Sequence, residues 1–130
     1  MIYLSSPYTA ATIAEMRECA EAAAMAAGFI IRRRGLNVFS PVVHGHAIEQ
    51  SFGAIPYDDW MRLSISMLDK ADYVYVLTLP GWLKSAGVRR EVGHAMRTQK
   101  PVWLIETPVE VGDELSLKLV GSNDEIEWES

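Results

Sequence analysis

The sequence predicts an α/β protein: a three-layer sandwich in which helices flank a mainly parallel sheet of four to five strands. Short β-type runs alternate with longer stretches of helix formers along most of the chain. One of these runs, ADYVYVLTLP, is apolar enough to be covered on both faces, as the strands of parallel sheets are. At 130 residues, the chain is expected to form one domain over residues 1–130.

The N-terminal part of the chain predicts a strand, a long helix and a second strand. MIYLSS and LNVFS are the strand-like runs, and a helix is expected between them, from Thr9 or Thr12 to Arg34. Such a βαβ unit has parallel strands and a right-handed connection. The residues expected to define the helix are its apolar face (Ile13, Met16, Ala20, Ala23, Ala24, Ala27 and Ile31) and its terminal glycine, Gly35.

The middle of the chain predicts a loop and a shorter helix. Residues 41–56 carry Gly, Pro and two His without a clean period, which predicts a loop with no more than a helical turn. Asp58 or Asp59 is expected to cap a helix from Trp60 to about Lys70. The residues expected on its buried side are Trp60, Leu63, Met67 and Leu68.

The remaining elements continue the alternation. ADYVYVLTLP is the third strand, SAGVRREVGHAMRTQ the third long helix and PVWLIE the fourth strand. Residues from about 112 to 130 carry many acids and a weak apolar alternation. That pattern fits either an edge strand or a tail that docks on a partner subunit.

Composition excludes several classes of partner. The net charge of −5 argues against a nucleic acid polymer or an acidic membrane surface, because either needs clustered Lys and Arg. No apolar stretch has the roughly 18 residues that span a bilayer, and the N-terminus lacks a signal-peptide layout, so we expect a cytoplasmic protein. Because Cys19 is the only cysteine, the chain cannot form an internal disulfide, and the residue is expected in the core.

Ligands of open parallel sheets bind beyond the carboxyl ends of the strands, where the strand order reverses. The loops expected at that rim are SSPYT, SPVVHGH and LPGWLKSAGVRRE. In the third loop, Ser85 can cap the following helix, and Gly87 lets a ligand approach the backbone closely. The N–H groups at such a helix start can bind phosphate or carboxylate, although most Ser caps bind no ligand.

Glu91 lies in the same helix, and local reasoning leaves its role open. It is either an exposed helix glutamate or a buried carboxylate, because its apolar neighbours predict a largely buried helix. Arg89 and Arg90 could pair with it for purely structural reasons. Tyr3 is expected to project from the first strand near the crevice, although strand aromatics are common.

His44 and His46 stand two residues apart in the loop after the second strand. A metal pair is conceivable, but no third ligand is visible, so we expect no metal and assign His46 to ligand contact. Asp58, Asp59 and Asp69 are expected to act as caps or solvated acids.

Four segments together resemble the nucleoside 2-deoxyribosyltransferase-like superfamily, nearest to its short, uncharacterised bacterial and phage members. They are IYLSSPYT, FSPVVHGHAI, DDWMRLSISMLDKADYVYVL and LPGWLKSAGVRREVGHA, in this order within about residues 1–105. The resemblance implies a flavodoxin- or Rossmann-like fold, a homo-oligomer and a small-molecule nucleotide or nucleoside as the ligand. It implies no metal and no organic cofactor.

Members of that superfamily cleave the N-glycosidic bond of deoxynucleosides or their 5′-monophosphates, or transfer the sugar to another base. By this resemblance, Glu91 attacks the anomeric carbon and Tyr3 positions it. A carboxylate beneath the sugar can trap the positive charge that builds as the base leaves, as in retaining glycosidases. Ser85 and Gly87 match the residues against which the phosphate lies.

The resemblance also implies further substrate contacts, with His46 facing the base. The remaining residues expected to contact substrate are Ser5, Ser6, Pro7 and Trp82. Ser64 stands where the family enzymes carry an aspartate that contacts the sugar, and Asp59 could substitute for it.

Because serine cannot be a carboxylate, a second hypothesis stays open: a non-catalytic protein that binds a nucleotide derivative in the same cleft. A generic phosphate-binding protein such as a flavin carrier is disfavoured, because only SSP and SAG offer a loop with hydroxyls or glycine.

Overall fold

The computed structural model describes residues 1–9, 11–106 and 115–129. Its strands are β1 (Ile2–Ser5), β2 (Val38–Phe39), β3 (Tyr73–Leu77), β4 (Val102–Ile105) and β5 (Leu117–Val120). Its α-helices are α1 (Ile13–Arg34), α2 (Pro41–Phe52), α3 (Tyr57–Lys70) and α4 (Ala86–Arg97). Short 3-10 turns lie at Trp82–Lys84 and Asn123–Glu125.

The strands form one sheet in the order β2-β1-β3-β4-β5. Strands β1 to β4 are parallel, with Tyr3 of β1 opposite Phe39 on one side and Val74 on the other. Strand β5 runs antiparallel to β4. The predicted α/β class and mainly parallel sheet are therefore confirmed. The strand order reverses between β1 and β3, which is where a ligand crevice is expected.

Neighbouring residues of β1 face two separate cores, because side chains alternate across a strand. On one face, Tyr3 packs in a cluster with Leu68 of α3 and Val92 of α4. On the other face, Leu4 packs in a cluster with Ala23 of α1, and α2 joins the same cluster. Helices on both faces of the sheet give the molecule its sandwich layers.

Helix α1 begins and ends at predicted residues. The Glu15 N–H donates to the Thr12 hydroxyl at 3.1 Å, and Gly35 ends the helix at φ 63°, a left-handed conformation that disfavours a Cβ. The predicted apolar face is wrong at Ile13, Ala24 and Ile31, which are exposed. The buried residues are Ala20, Ala23, Ala26, Phe29 and Ile30. In so alanine-rich a helix, apolar spacing fits several faces equally well.

The predicted loop over residues 41–56 is wrong, because residues 41–52 form α2. Ser40 caps this helix by accepting a hydrogen bond from the Val43 N–H at 3.2 Å. Pro41 occupies the first turn, where its missing N–H has no helical partner to lose. A Ser followed by a Pro is typical of a helix start, and this pair could have predicted α2 from the sequence. At Gly45, an added Cβ would lie 3.6 Å from the Trp60 ring, so this side chain of α3 packs closely on α2 at that point.

Helix α3 begins earlier than predicted, at Tyr57. Asp58 and Asp59 therefore lie in its first turn, where their charge favours the helix dipole, and neither is the cap. Its fully buried residues are Met61, Ser64 and Leu68, whereas Trp60, Leu63 and Met67 are only partly buried. Trp60 and Leu63 face a cavity, whereas Met67 packs against the core cluster that contains Leu68.

The sequence predicted an edge strand or a tail at the C-terminus, and residues 117–120 form the edge strand β5. Residues 112–114 and 130 lie outside the described residues. The prediction for Cys19 is also corrected, because it is half-buried in the cavity wall and not in the core. Among the described helices, none combines the length and the apolar character that crossing a membrane requires.

Candidate functional site

A cavity of about 960 Å³ opens where β1 and β3 end. Its walls come from the loops after those strands and from all four α-helices, as the rule for parallel sheets predicts. The predicted site residues that line it are Ser6, Pro7, His46, Ser64, Ser85, Gly87 and Glu91. These predicted residues therefore lie together in one cavity at this rim of the sheet.

Glu91 is a buried carboxylate in the cavity wall. Its side chain projects from α4 and the residue is only 3% exposed. The Tyr3 hydroxyl donates a hydrogen bond to Oε2, and the Ser5 hydroxyl donates to Oε1 at 3.1 Å. Both carboxylate oxygens are thus held by neutral donors from β1.

Burial is the main influence on the protonation of this pair. It raises the pKa of Glu91 from 4.5 to about 7, and the hydrogen bonds from Tyr3 and Ser5 oppose that shift only in part. Burial and then the charge of Glu91 raise the pKa of Tyr3 well above its ordinary value, while a hydrogen bond with Ser64 acts the other way. At neutral pH, Tyr3 is therefore a donor and Glu91 can be either acid or carboxylate.

The arginines that flank Glu91 do not neutralise it. Arg89 lies over the Trp128 ring at 5.8 Å, and Arg90 lies over the Tyr57 ring at 6.0 Å. Within residues 1–9, 11–106 and 115–129, no salt bridge reaches Glu91. The structural ion-pair explanation of this residue is therefore wrong.

The start of α4 lies at the cavity, as predicted. Ser85 caps the helix by accepting a hydrogen bond from the Val88 N–H at 3.2 Å. A Cβ added at Gly87 would meet only Met61 Cε and Ser85 Oγ, each at 3.9 Å, so the backbone there is open to a ligand. Across the cavity rim, the buried Ser6 hydroxyl has no hydrogen-bond partner among the described residues. An unpaired buried hydroxyl calls for a ligand or water.

Aromatic and polar groups from three elements form another wall. The Tyr8 hydroxyl and His46 Nδ1 are hydrogen-bonded at 2.8 Å. Both residues line the cavity, as predicted for His46. The Trp60 indole N–H donates to Glu49 Oε1 at 2.5 Å, which fixes the ring against Gly45. A rigid indole of this kind offers a flat apolar surface to a ring-shaped ligand.

Three predicted contacts are not brought to the cavity. Trp82 packs edge-to-face on Trp128, with ring centroids 5.8 Å apart. Asp59 pairs with Arg62 at 3.0 Å on the exposed side of α3, so its carboxylate does not enter the cavity beside Ser64. Ser5 lies behind the wall, where it acts through Glu91.

Sequence reasoning missed several cavity residues. Trp60 was assigned to the core, although its place on a helix beside the rim could have marked it. Glu49 gave no signal because residues 41–56 were predicted as a loop, and Cys19 gave none because it is predicted as a small core residue of α1. Lys84 precedes the Ser85 cap directly, which was an available signal. No group of three or more His, Cys, Asp or Glu in the described parts of the chain could hold a metal ion.

The family model described as "Domain of unknown function (DUF1937)" matches residues 1–107. Because the match covers most of the chain, the protein belongs to this family. No curated protein matches the chain. The matched region includes β1 to β4 and all four α-helices, whereas β5 and the residues after it lie outside it.

Proposed function

We propose that this DUF1937 member cleaves or transfers the N-glycosidic bond of a nucleoside or (deoxy)nucleoside 5′-monophosphate, with Glu91 as the nucleophile. The observation that carries the proposal is a buried carboxylate in a cavity wall, held by two neutral donors and, among the residues that the structure describes, by no cation. A carboxylate in such a place weakens the fold, so a role in chemistry is its best explanation. The cavity volume of about 960 Å³ suits a nucleotide-sized ligand.

The reaction would proceed by two displacements at the anomeric carbon. A Glu91 oxygen forms a bond to that carbon as the bond to the base breaks, and the base leaves with the electron pair and takes up a proton from solvent water. Water or a second base then attacks the same carbon and releases the carboxylate. Tyr3 and Ser5 keep both carboxylate oxygens oriented between the two steps.

Other cavity groups support a ligand with an anionic and an aromatic end. The start of α4 and the Ser6 hydroxyl, which has no partner among the described residues, line the same cavity and suit a 5′-phosphate. The Trp60 ring and the Tyr8–His46 pair suit a base. A flavodoxin- or Rossmann-like fold of the nucleoside 2-deoxyribosyltransferase-like type, a cytoplasmic location and a homo-oligomer belong to the same proposal.

Ser64 favours the second hypothesis, a protein that binds a nucleotide derivative without turnover. It is 3% exposed in the cavity wall and contacts Tyr3, where the superfamily enzymes carry a carboxylate. Asp59 does not fill that role. The two hypotheses share a ligand and differ in whether the base is released.

The test is to incubate the protein with a panel of deoxynucleosides and their 5′-monophosphates and to measure free base by chromatography. Glu91→Gln keeps the size of the side chain and should abolish release, whereas Glu127→Gln, an exposed control, should not. Binding without release, lost in Ser85→Trp, would establish the second hypothesis. Absence of both binding and release across the panel would refute the proposal.

A further inference from the structure

The charged residues that line the cavity are mostly acidic. Glu15, Glu18, Glu49 and Glu91 contribute carboxylates, and Lys84 is the one Lys or Arg among the described lining residues. A phosphate entering this cavity would meet repulsion from the carboxylates of α1 and α2, and from Glu91 when it is ionised. Lys84, directly before the α4 cap, is the group that can offset that repulsion.

Lys84 is already engaged by a segment outside the family match. We name residues 121–129 the strap. Lys84 Nζ lies 3.8 Å from Glu129 Oε2, and both side chains are at least half exposed, at 66% and 50%. Exposed pairs of this length are weak and are screened by salt. A ligand oxyanion could therefore replace Glu129 beside Lys84 at small cost.

The strap also holds the turn that carries Lys84. The Glu129 N–H donates to the Leu83 carbonyl at 3.0 Å, and Trp128 packs on Trp82 at the start of the same turn. The Trp128 indole N–H donates to Asn123 Oδ1 at 3.2 Å, which fixes the ring within the strap. The turn is thus attached to the strap by backbone, ring and charge contacts.

We propose that Lys84 makes the cavity select a nucleoside 5′-monophosphate over the neutral nucleoside, with Glu129 holding its ammonium group until the phosphate takes that place. Trp128 is a positioning residue, because it packs on Trp82 of the turn and does not itself line the cavity. This inference rests on the proposed function for the identity of the ligand. The charge exchange itself requires only an oxyanion.

Calorimetric titration tests the exchange in the Glu91→Gln background, where no turnover is expected. The probes are a deoxynucleoside 5′-monophosphate, the matching deoxynucleoside and inorganic phosphate. Lys84→Gln should weaken monophosphate binding about tenfold, as expected for a charge-assisted hydrogen bond, and change nucleoside binding less than about twofold. Glu129→Gln should strengthen monophosphate and phosphate binding about two- to threefold.

Trp128 gives a second, independent measurement. Trp128→Ala should weaken monophosphate binding and speed hydrogen exchange at the Lys84 and Ser85 amides, which donate within the turn. Trp128→Phe should largely restore both, because a ring still packs on Trp82. Glu127→Gln, an exposed strap carboxylate, is the matched control and should change neither.

The outcomes separate this inference from the proposed function. If both nucleoside and monophosphate bind but Lys84→Gln weakens them equally or not at all, the inference is wrong and the proposed function survives. If phosphate binding responds to both charge variants as expected while neither nucleoside nor monophosphate binds, the exchange stands and the proposed ligand is wrong. Unchanged binding of every probe in Glu129→Gln would refute the role of the strap.

Discussion

Replacing Glu91 with glutamine should stabilise the protein, and the gain should depend on pH. The folded protein holds this carboxyl group at a pKa of about 7, whereas its ordinary value is 4.5. Between those pH values the folded state binds a proton that the unfolded chain has lost. Stability therefore falls as pH rises through this window, and the loss is complete above about pH 7.

The size of the effect follows from the shift. Each pKa unit corresponds to about 1.36 kcal/mol, so the raised pKa of Glu91 costs about 3 kcal/mol above pH 7 and nothing below pH 4.5. Glutamine cannot ionise, and any difference in its hydrogen bonds with Tyr3 and Ser5 adds a constant at every pH. The change between pH 4 and pH 8 in the difference in unfolding free energy between the two proteins therefore reports the ionisation of Glu91 alone.

The assay is urea unfolding of wild type and Glu91→Gln at several pH values from 4 to 8, with Glu127→Gln as an exposed control. The difference in unfolding free energy between wild type and Glu91→Gln should grow by about 3 kcal/mol over this range. Other titrating groups, such as Asp72, are the same in both proteins and cancel. A difference that stays constant with pH, or that matches the control, would refute the reasoning.

Three further variants test neighbouring features. Tyr3→Phe removes a hydrogen bond that stabilises the Glu91 carboxylate. The pH at which half of the pH-dependent stability is lost should therefore rise above its wild-type value. An unchanged pH midpoint would contradict the hydrogen bond between Tyr3 and Glu91. Gly87→Ala should stabilise α4 by up to about 1 kcal/mol in urea unfolding, since the site has room for a methyl group, yet weaken monophosphate binding in calorimetry. Equal or tighter binding would show that the ligand does not approach this backbone. Gly35→Ala should cost about 1 kcal/mol in urea unfolding because φ is 63° there, and a neutral result would contradict the left-handed cap.

The order of most elements could be predicted because their signals are local. Thr12, Ser85 and Gly35 act as the sequence predicts, since caps and stops depend on a few neighbouring residues. Helix α2 was missed because Val, His and Gly are weak helix formers, so its helical state depends on the Ser40 cap and on packing against α1, whose core cluster Val42 joins. Tertiary contacts of this kind are not visible in local periodicity.

The candidate site was predictable to a similar extent. The rim of a parallel sheet predicted that Ser85, Gly87 and Glu91 lie at one crevice, and all three line the same cavity, because topology alone brings the carboxyl ends of the strands together. The burial of Glu91 against Tyr3 joins residues 88 positions apart, and only the three-dimensional structure establishes that contact. Trp82 was assigned to the rim by its neighbours in sequence, but its ring turns away to Trp128.

A covalent intermediate is the most direct evidence for the nucleophile. A 2-deoxy-2-fluoroarabinosyl nucleoside slows the second displacement, so the sugar should accumulate as an ester on the enzyme. Mass spectrometry of the intact protein and of its peptides should then find one added sugar, attached at Glu91 and absent from Glu91→Gln. Base release from natural substrates by Glu91→Gln at the wild-type rate, or an adduct at another residue, would contradict the role proposed for this carboxylate.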